Sequence, residues 1–154
     1  MSRIGAKEAA TLNARSQDVY ATIADYRNGH PRIVPPETFS DMRVEQGGYG
    51  EGTVIRFKVK TLGVVQEFYQ RVTEPEPGHV LVEQDIDSPE HIITTFTVTP
   101  VENGQKSHVE ISTVMNASPG IRGMMERWVL TKLNPRVYRK ELKRLEEVAR
   151  TVKA

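Results

Sequence analysis

Two hydrophobic periods alternate along the chain, and the points where one gives way to the other divide it into elements. KEAATLNA (residues 7–14) alternates weakly and predicts a first strand. Ser16 follows as a helix N-cap candidate, with Asp18 in the first turn, where the helix dipole favours an acid. Val19, Tyr20 and Ile23 then share one face at helical spacing, so SQDVYATIA predicts a short helix. DYRNGHPRIVPP (25–36) ends it, because a helix cannot run through Pro31, Pro35 and Pro36. This corner has room for one more short turn around residues 29–34.

Beyond the prolines the period becomes two. FSDMRVEQ, GGYGEG and TVIRFKVK read as a hairpin with a Gly-rich connection. Ile55, Phe57 and Val59 alternate with Arg56, Lys58 and Lys60, which gives one buried and one wet face. VVQEFYQRVT (64–73), VLVEQDI (80–86), IITTFTVTP (92–100) and HVEISTVM (108–115) continue as strands between the turns EPEPGH, DSPEH and ENGQKS. The expectation is a six-strand antiparallel meander.

At Ser118-Pro119 the pattern returns to helical, with an N-cap followed by Pro at the first helical position. Ile121, Met124, Met125, Trp128, Val129, Leu133, Val137, Tyr138, Leu142, Leu145 and Ala149 recur at helical spacing. A single helix from there to Val152 is about 50 Å long at ~1.5 Å per residue, more than a domain of this size spans. Asn134-Pro135 is therefore expected to bend or break it.

The chain has 154 residues, which suits one domain (1–154) with one core. No window approaches the eighteen apolar residues of a membrane span, and MSRIGAKEAA has no apolar core of a secretory signal. The absence of Cys excludes disulfides, thiolate catalysis and Cys-based metal sites, and fits a cytoplasmic protein. Net charge is +1 but unevenly spread: from Ser118 onward there are ten Lys or Arg against four Glu. Arg136, Arg139, Lys140, Lys143 and Arg144 make a basic helix face, read either as a solvated surface or as a dock for a protein partner or anionic lipid; no specific nucleic acid is expected.

The order of one strand, two short helices, six strands and a long helix resembles the START/Bet v 1-like helix-grip superfamily (SRPBCC). Within it the chain is similar to the bacterial polyketide cyclase/dehydrase and lipid-transport-like branch. ATLNARSQDVYATIADY, GGYGEGT, RVTEPEPGHVLVEQD and the terminal YRKELKRLEEVAR carry the resemblance, which covers essentially the whole chain. It implies an α+β helix-grip fold: a curved seven-stranded antiparallel sheet wrapped around a long C-terminal helix. It also implies a deep, largely apolar cavity between the two, and no single chemistry. Members include cyclases and aromatases, carriers of lipids, quinones or hormones, and chaperone-associated modules.

Candidate chemistry is sparse. His79, His91 and His108 sit at turns or a strand start, read as surface, and no His shows metal-ligand spacing. GGYGEG lies between strands and is turn chemistry, not a phosphate loop. The pairs Glu74/Glu76 and Asp85/Asp87 fall near strand ends and are expected to be exposed. No nucleophile elbow is present, and no metal or cofactor is expected. In the implied fold the 25–36 corner abuts the cavity, so Tyr26, Arg27, His30, Arg32 and Ile33 either meet a ligand at its mouth or only cap helix ends.

Inward polar residues say more. Gln66 and Gln70 share a side with Phe68, Thr94 lies with Phe96, and Gln84 lies with Val80, Val82 and Ile86. Buried amides and hydroxyls need partners, from neighbours or from a ligand. Phe57, Phe68 and Phe96 supply apolar lining, and Met124, Met125 and Trp128 suit either a cavity wall or core packing. The scarcity of inward acids or His on the strands weighs against acid–base catalysis, unless a one-residue register slip turns Arg56 or Tyr69 inward. Three readings stand side by side: a module binding a hydrophobic small molecule (lipid, polyketide, isoprenoid or quinone), a cyclase/dehydrase-type enzyme, and a protein-interaction module using the basic helix.

Overall fold

Residues 3–152 are described from a computed structural model. Strand β1 (Arg3–Leu12) leads into helix α1 (Ser16–Ala24) and a one-turn helix α2 (His30–Ile33). Six strands come next: β2 (Phe39–Gln46), β3 (Val54–Thr61), β4 (Val64–Glu76), β5 (Val80–Asp85), β6 (Ile93–Val101) and β7 (Lys106–Asn116). Helix α3 (Gly120–Trp128), a π-helical turn (Val129–Leu133) and α4 (Asn134–Ala149) complete the described chain. The first strand starts ahead of the expected 7–14 stretch. Gly5 and Ala6 blur its apolar alternation, while pairing from Ile4 opposite Met115 to Leu12 opposite Ser107 holds it in place.

All seven strands form one antiparallel sheet in the order β1-β7-β6-β5-β4-β3-β2. β1 and β2 thus occupy opposite edges, and α1 and α2 carry the chain between them. Register shifts in β2 and near the end of β4 add local bending to the ordinary twist of a sheet. The buried side of α4 (Tyr138, Leu142, Leu145 and Ala149) packs into the same core as Val19 and Ile23 of α1, Ile33 of α2, and Ile55, Val72, Leu81, Phe96 and Ile111 of the sheet. Each such large apolar side chain contributes about 1.5–3 kcal/mol on burial, which is what grips helix to sheet.

The expected break of the terminal helix lies just ahead of Asn134-Pro135. The Asn134 N–H reaches back to the Val129 carbonyl, and Pro135 occupies the first turn of α4, where its missing N–H does no harm. On β3 and β4 the expected faces hold. Arg56 and Tyr69 pair across the outer face, with the guanidinium 3.9 Å from the ring centre, and Arg56 also meets Glu45 and Glu67.

β5 has the opposite phase to the one expected. Leu81, Glu83 and Asp85 are buried, while Val80, Val82 and Gln84 face outward and are partly exposed. Apolar content favours the Val80-Val82-Ile86 side, but pairing decides: Asp85 lies opposite Gln70 and Glu83 opposite Val72, both on the inner face of β4. Gln84 is therefore not an interior residue, and Asp85 is not exposed.

Candidate functional site

The 25–36 corner sends some of its side chains inward and others outward. Asp25 Oδ1 accepts the backbone N–H groups of Arg27 and Asn28, a local turn typical of Asp. Gly29 lets the chain fold back onto α1, because a Cβ there would sit 2.4 Å from the Thr22 carbonyl oxygen. Tyr26 and His30 consequently enter the core, while Arg27 and Arg32 point to solvent.

Inside, Tyr26 donates its hydroxyl to Glu83 Oε2 at 2.6 Å. His30 Nδ1–H donates to the Ile23 carbonyl at 2.8 Å, which aims Nε2 at Glu83 Oε2, 3.5 Å away. The Tyr26 and His30 rings stack at 4.4 Å, and the His30 ring meets Phe96 edge-on. Burial and, secondarily, the Glu83 carboxylate push the Tyr26 phenol well above its ordinary pKa, so it stays a donor.

Further polar groups complete a belt around the interior. Gln70 Nε2 donates to Asp85 Oδ1 at 2.8 Å and the Ile92 N–H to Asp85 Oδ2, while Gln70 Oε1 is buried with no partner among the described residues. On α4, Tyr138 hydrogen-bonds Thr113, which in turn bonds Thr94. One turn further on, Glu141 is only 4% exposed and has no hydrogen bond or ion pair among the described residues. Burial first, and the Glu83 charge second, raise its carboxyl well above the ordinary range. A buried acid with a raised pKa near an acid that accepts hydrogen bonds is an arrangement that general acid–base chemistry uses.

The outside of the same end is inverted in polarity. Ile121, Met124, Met125 and Trp128 of α3 are 48–77% exposed, and so are Leu62, Val64 and Val65 at the tip of the β3–β4 hairpin. Leu62 and the four α3 residues line one open hollow of about 280 Å³. α3 therefore stands off the sheet with its apolar stripe unpacked.

The expected lining residues are thus distributed in three ways. Tyr26, His30, Ile33, Phe57, Gln70 and Phe96 are buried, with Phe68 and Thr94 partly so. Met124, Met125 and Trp128 form an outer lip, not core. Arg32 is exposed, offers only its carbonyl to Arg144, and Gln84 lies on the outer face, so neither joins the belt. Tyr26 and His30 lie deep, not at a rim. Gln66, on the exposed end of β4, also drops out. His79 and His91 are half-buried, bonded to the Val98 carbonyl and Gln84. On the basic helix Arg139 meets Glu8 and Lys140 meets Glu37, so part of that face is engaged within the chain. The unanticipated members are Glu83, Asp85, Tyr138 in its polar role, and Glu141. Glu141 is visible in the sequence as a carboxyl inside the apolar stripe Tyr138-Leu142-Leu145.

No helix among the described residues is long and apolar enough to cross a membrane. The KanY protein, solved in solution by NMR, is 26% identical with a TM-score of 0.80, covering 97% of this chain and 99% of its own. Two more distant structures share the fold. The Zhui aromatase/cyclase of Streptomyces sp. R1128 is 17% identical, with a TM-score of 0.74 over 97% of this chain and 94% of its own. Norcoclaurine synthase of Thalictrum flavum, in complex with dopamine and hydroxybenzaldehyde, is 14% identical, with a TM-score of 0.74 over 99% and 90%. No curated protein matches the chain. Residues 3–150 match the family described as polyketide cyclase / dehydrase and lipid transport, a family whose membership supports ligand binding or cyclase-type function in general, and the chain belongs to it.

Proposed function

We propose that the protein binds a hydrophobic small molecule (a lipid, polyketide, isoprenoid or quinone) between the curved sheet and α4, entering beneath α3. The observation that carries this reading is the apolar lip. Ile121, Met124, Met125 and Trp128 face Leu62 across an open hollow, where water gains nothing and an apolar guest gains burial. Affinity then comes mainly from buried apolar area, at about 25 cal/mol per Å² before ordering costs. Titration with the uncharged probe N-phenyl-1-naphthylamine tests it. One saturable site is expected, weakened by Met124→Asp; the absence of saturable binding would sink the reading.

A second reading, catalysis of the cyclase/dehydrase type, is favoured by a different observation. Glu83, Glu141, His30 and Tyr26 bring ionisable groups into the interior, which proton transfer requires and a plain carrier does not. In it a protonated Glu141 serves as acid and Glu83 as acceptor, with Tyr26 and His30 orienting Glu83. Turnover of a reactive polyketone chain that drops at least 100-fold in both Glu141→Gln and Glu83→Gln, with probe binding retained, is the expected result. Unchanged product distribution in both variants would leave binding alone.

A further inference from the structure

The interior polar groups are unbalanced, and for an interior that holds a guest the imbalance sets what that guest must carry. Most interior donor groups already bond to the protein. The Tyr26 hydroxyl goes to Glu83, His30 Nδ1–H to the Ile23 carbonyl, and Gln70 Nε2 to Asp85. Tyr138, Thr113 and Thr94 share two hydrogen bonds among three hydroxyls. No Lys or Arg is buried among the described residues.

Acceptors are left over. Gln70 Oε1 is buried without a partner among the described residues. Reversing the amide would not relieve it, since Oε1 would then face the Asp85 carboxylate and the N–H₂ would be orphaned. Contacts to Glu83 arrive only at Oε2, and neither Glu141 oxygen has a hydrogen bond among the described residues. These groups lie close together. Gln70 and Glu83 are diagonal neighbours on the inner faces of β4 and β5, and Glu141 feels the Glu83 charge from α4. Even with one proton on Glu141, several oxygens remain for each free donor. A buried acceptor without a partner costs about 1–3 kcal/mol, so a guest that supplies donors recovers that penalty. An anion does the reverse: it adds a charge beside carboxylates where no Lys or Arg is buried among the described residues.

We propose, resting on the binding reading, that the Gln70–Glu83–Glu141 belt selects a hydrophobic ligand whose polar end is a hydrogen-bond donor, hydroxyl or ammonium, and rejects a carboxylate or phosphate end. The inner face of β4 places Phe68 between the exposed hairpin tip and Gln70, so the belt lies beyond an apolar ring. A long tail with one donor end matches that order.

The test is displacement of N-phenyl-1-naphthylamine from the intact protein by 1-decanol, decylamine and decanoate, three ends on one tail. Decanol, decylamine or both are expected to bind at least 10-fold tighter than decanoate. Which of the two leads tells whether a neutral hydroxyl or a cationic nitrogen is preferred. In Gln70→Leu and, separately, Glu141→Leu, the gap is expected to shrink at least threefold while the probe still binds; two variants guard against one failing to fold. Equal affinity for all three ends, or a preference for decanoate, overturns this inference and leaves the binding reading intact. Failure of the probe itself to bind overturns both.

Discussion

The interior packed under α4 and the surface of α3 are mirror opposites. Under α4, where burial should favour hydrocarbon, the chain places Glu83, Asp85, Glu141, Gln70, His30 and Tyr26. On α3, where water should favour polar groups, it places Ile121, Met124, Met125 and Trp128. Ordinary folding explains neither choice: buried acids cost stability and exposed large apolar groups gain none. Both are explained if the two regions meet the two ends of one amphipathic guest. The contrast teaches that the informative positions in this fold are those where the polarity rule is broken, not those where it holds.

The contrast can be broken first from the inside. Tyr26→Phe keeps the stacked ring and removes the hydrogen bond to Glu83, leaving a buried carboxylate short of a donor. A loss of about 1.5–3 kcal/mol is expected, read as a fall in the midpoint of chemical denaturation. A variant as stable as the parent would mean that Glu83 finds water or another donor.

Glu141→Gln acts in the other direction and depends on pH. The folded state raises this carboxyl above its ordinary value of 4.5. Its contribution is therefore fully present below that value and is lost as pH rises through the raised folded value. Glutamine has no such loss. The variant should gain on the parent by up to about 1.4 kcal/mol per pH unit across that window. Denaturation curves at several pH values between about 4 and 8 check this, and a gap that is flat or narrows with rising pH would contradict it. Glu83, His30, Tyr26 and Tyr138 share this interior, so each needs to remain wild type in the comparison.

The smallest effect on stability belongs outside. Met124→Gln with Met125→Gln should shift unfolding by no more than about 0.5 kcal/mol, because both side chains are mostly exposed. The same pair should weaken N-phenyl-1-naphthylamine severalfold. A large loss of stability would show that α3 packs more tightly than its exposure indicates.

Much of this architecture is legible in the order of residues. Alternation on β3, β6 and β7 marks their inner faces, and Pro31, Pro35 and Pro36 mark the corner. β5 is not legible, because its apolar content favours the face that turns outward and the choice rests on distant partners. Glu83 is held inside by Tyr26, and Asp85 by Gln70 and the Ile92 N–H. The outward turn of Met124, Met125 and Trp128 is equally hidden. Their helical spacing predicts a stripe but not the direction in which it points.

That direction comes from the π-helical turn. On an uninterrupted α-helix, at about 100° per residue, the Ile121-Met124-Met125-Trp128 stripe would sit roughly 90° around the axis from the Tyr138-Leu142-Leu145 face of α4. The π turn at Val129–Leu133 accommodates one further residue, which adds about 100° and carries the stripe to the far side. The turn acts as a phase shifter between two halves of one helix. Deleting a single residue within it would give a plain α-helix with the stripe still on the far side, whereas regularising the turn at unchanged length would swing the stripe back by that angle.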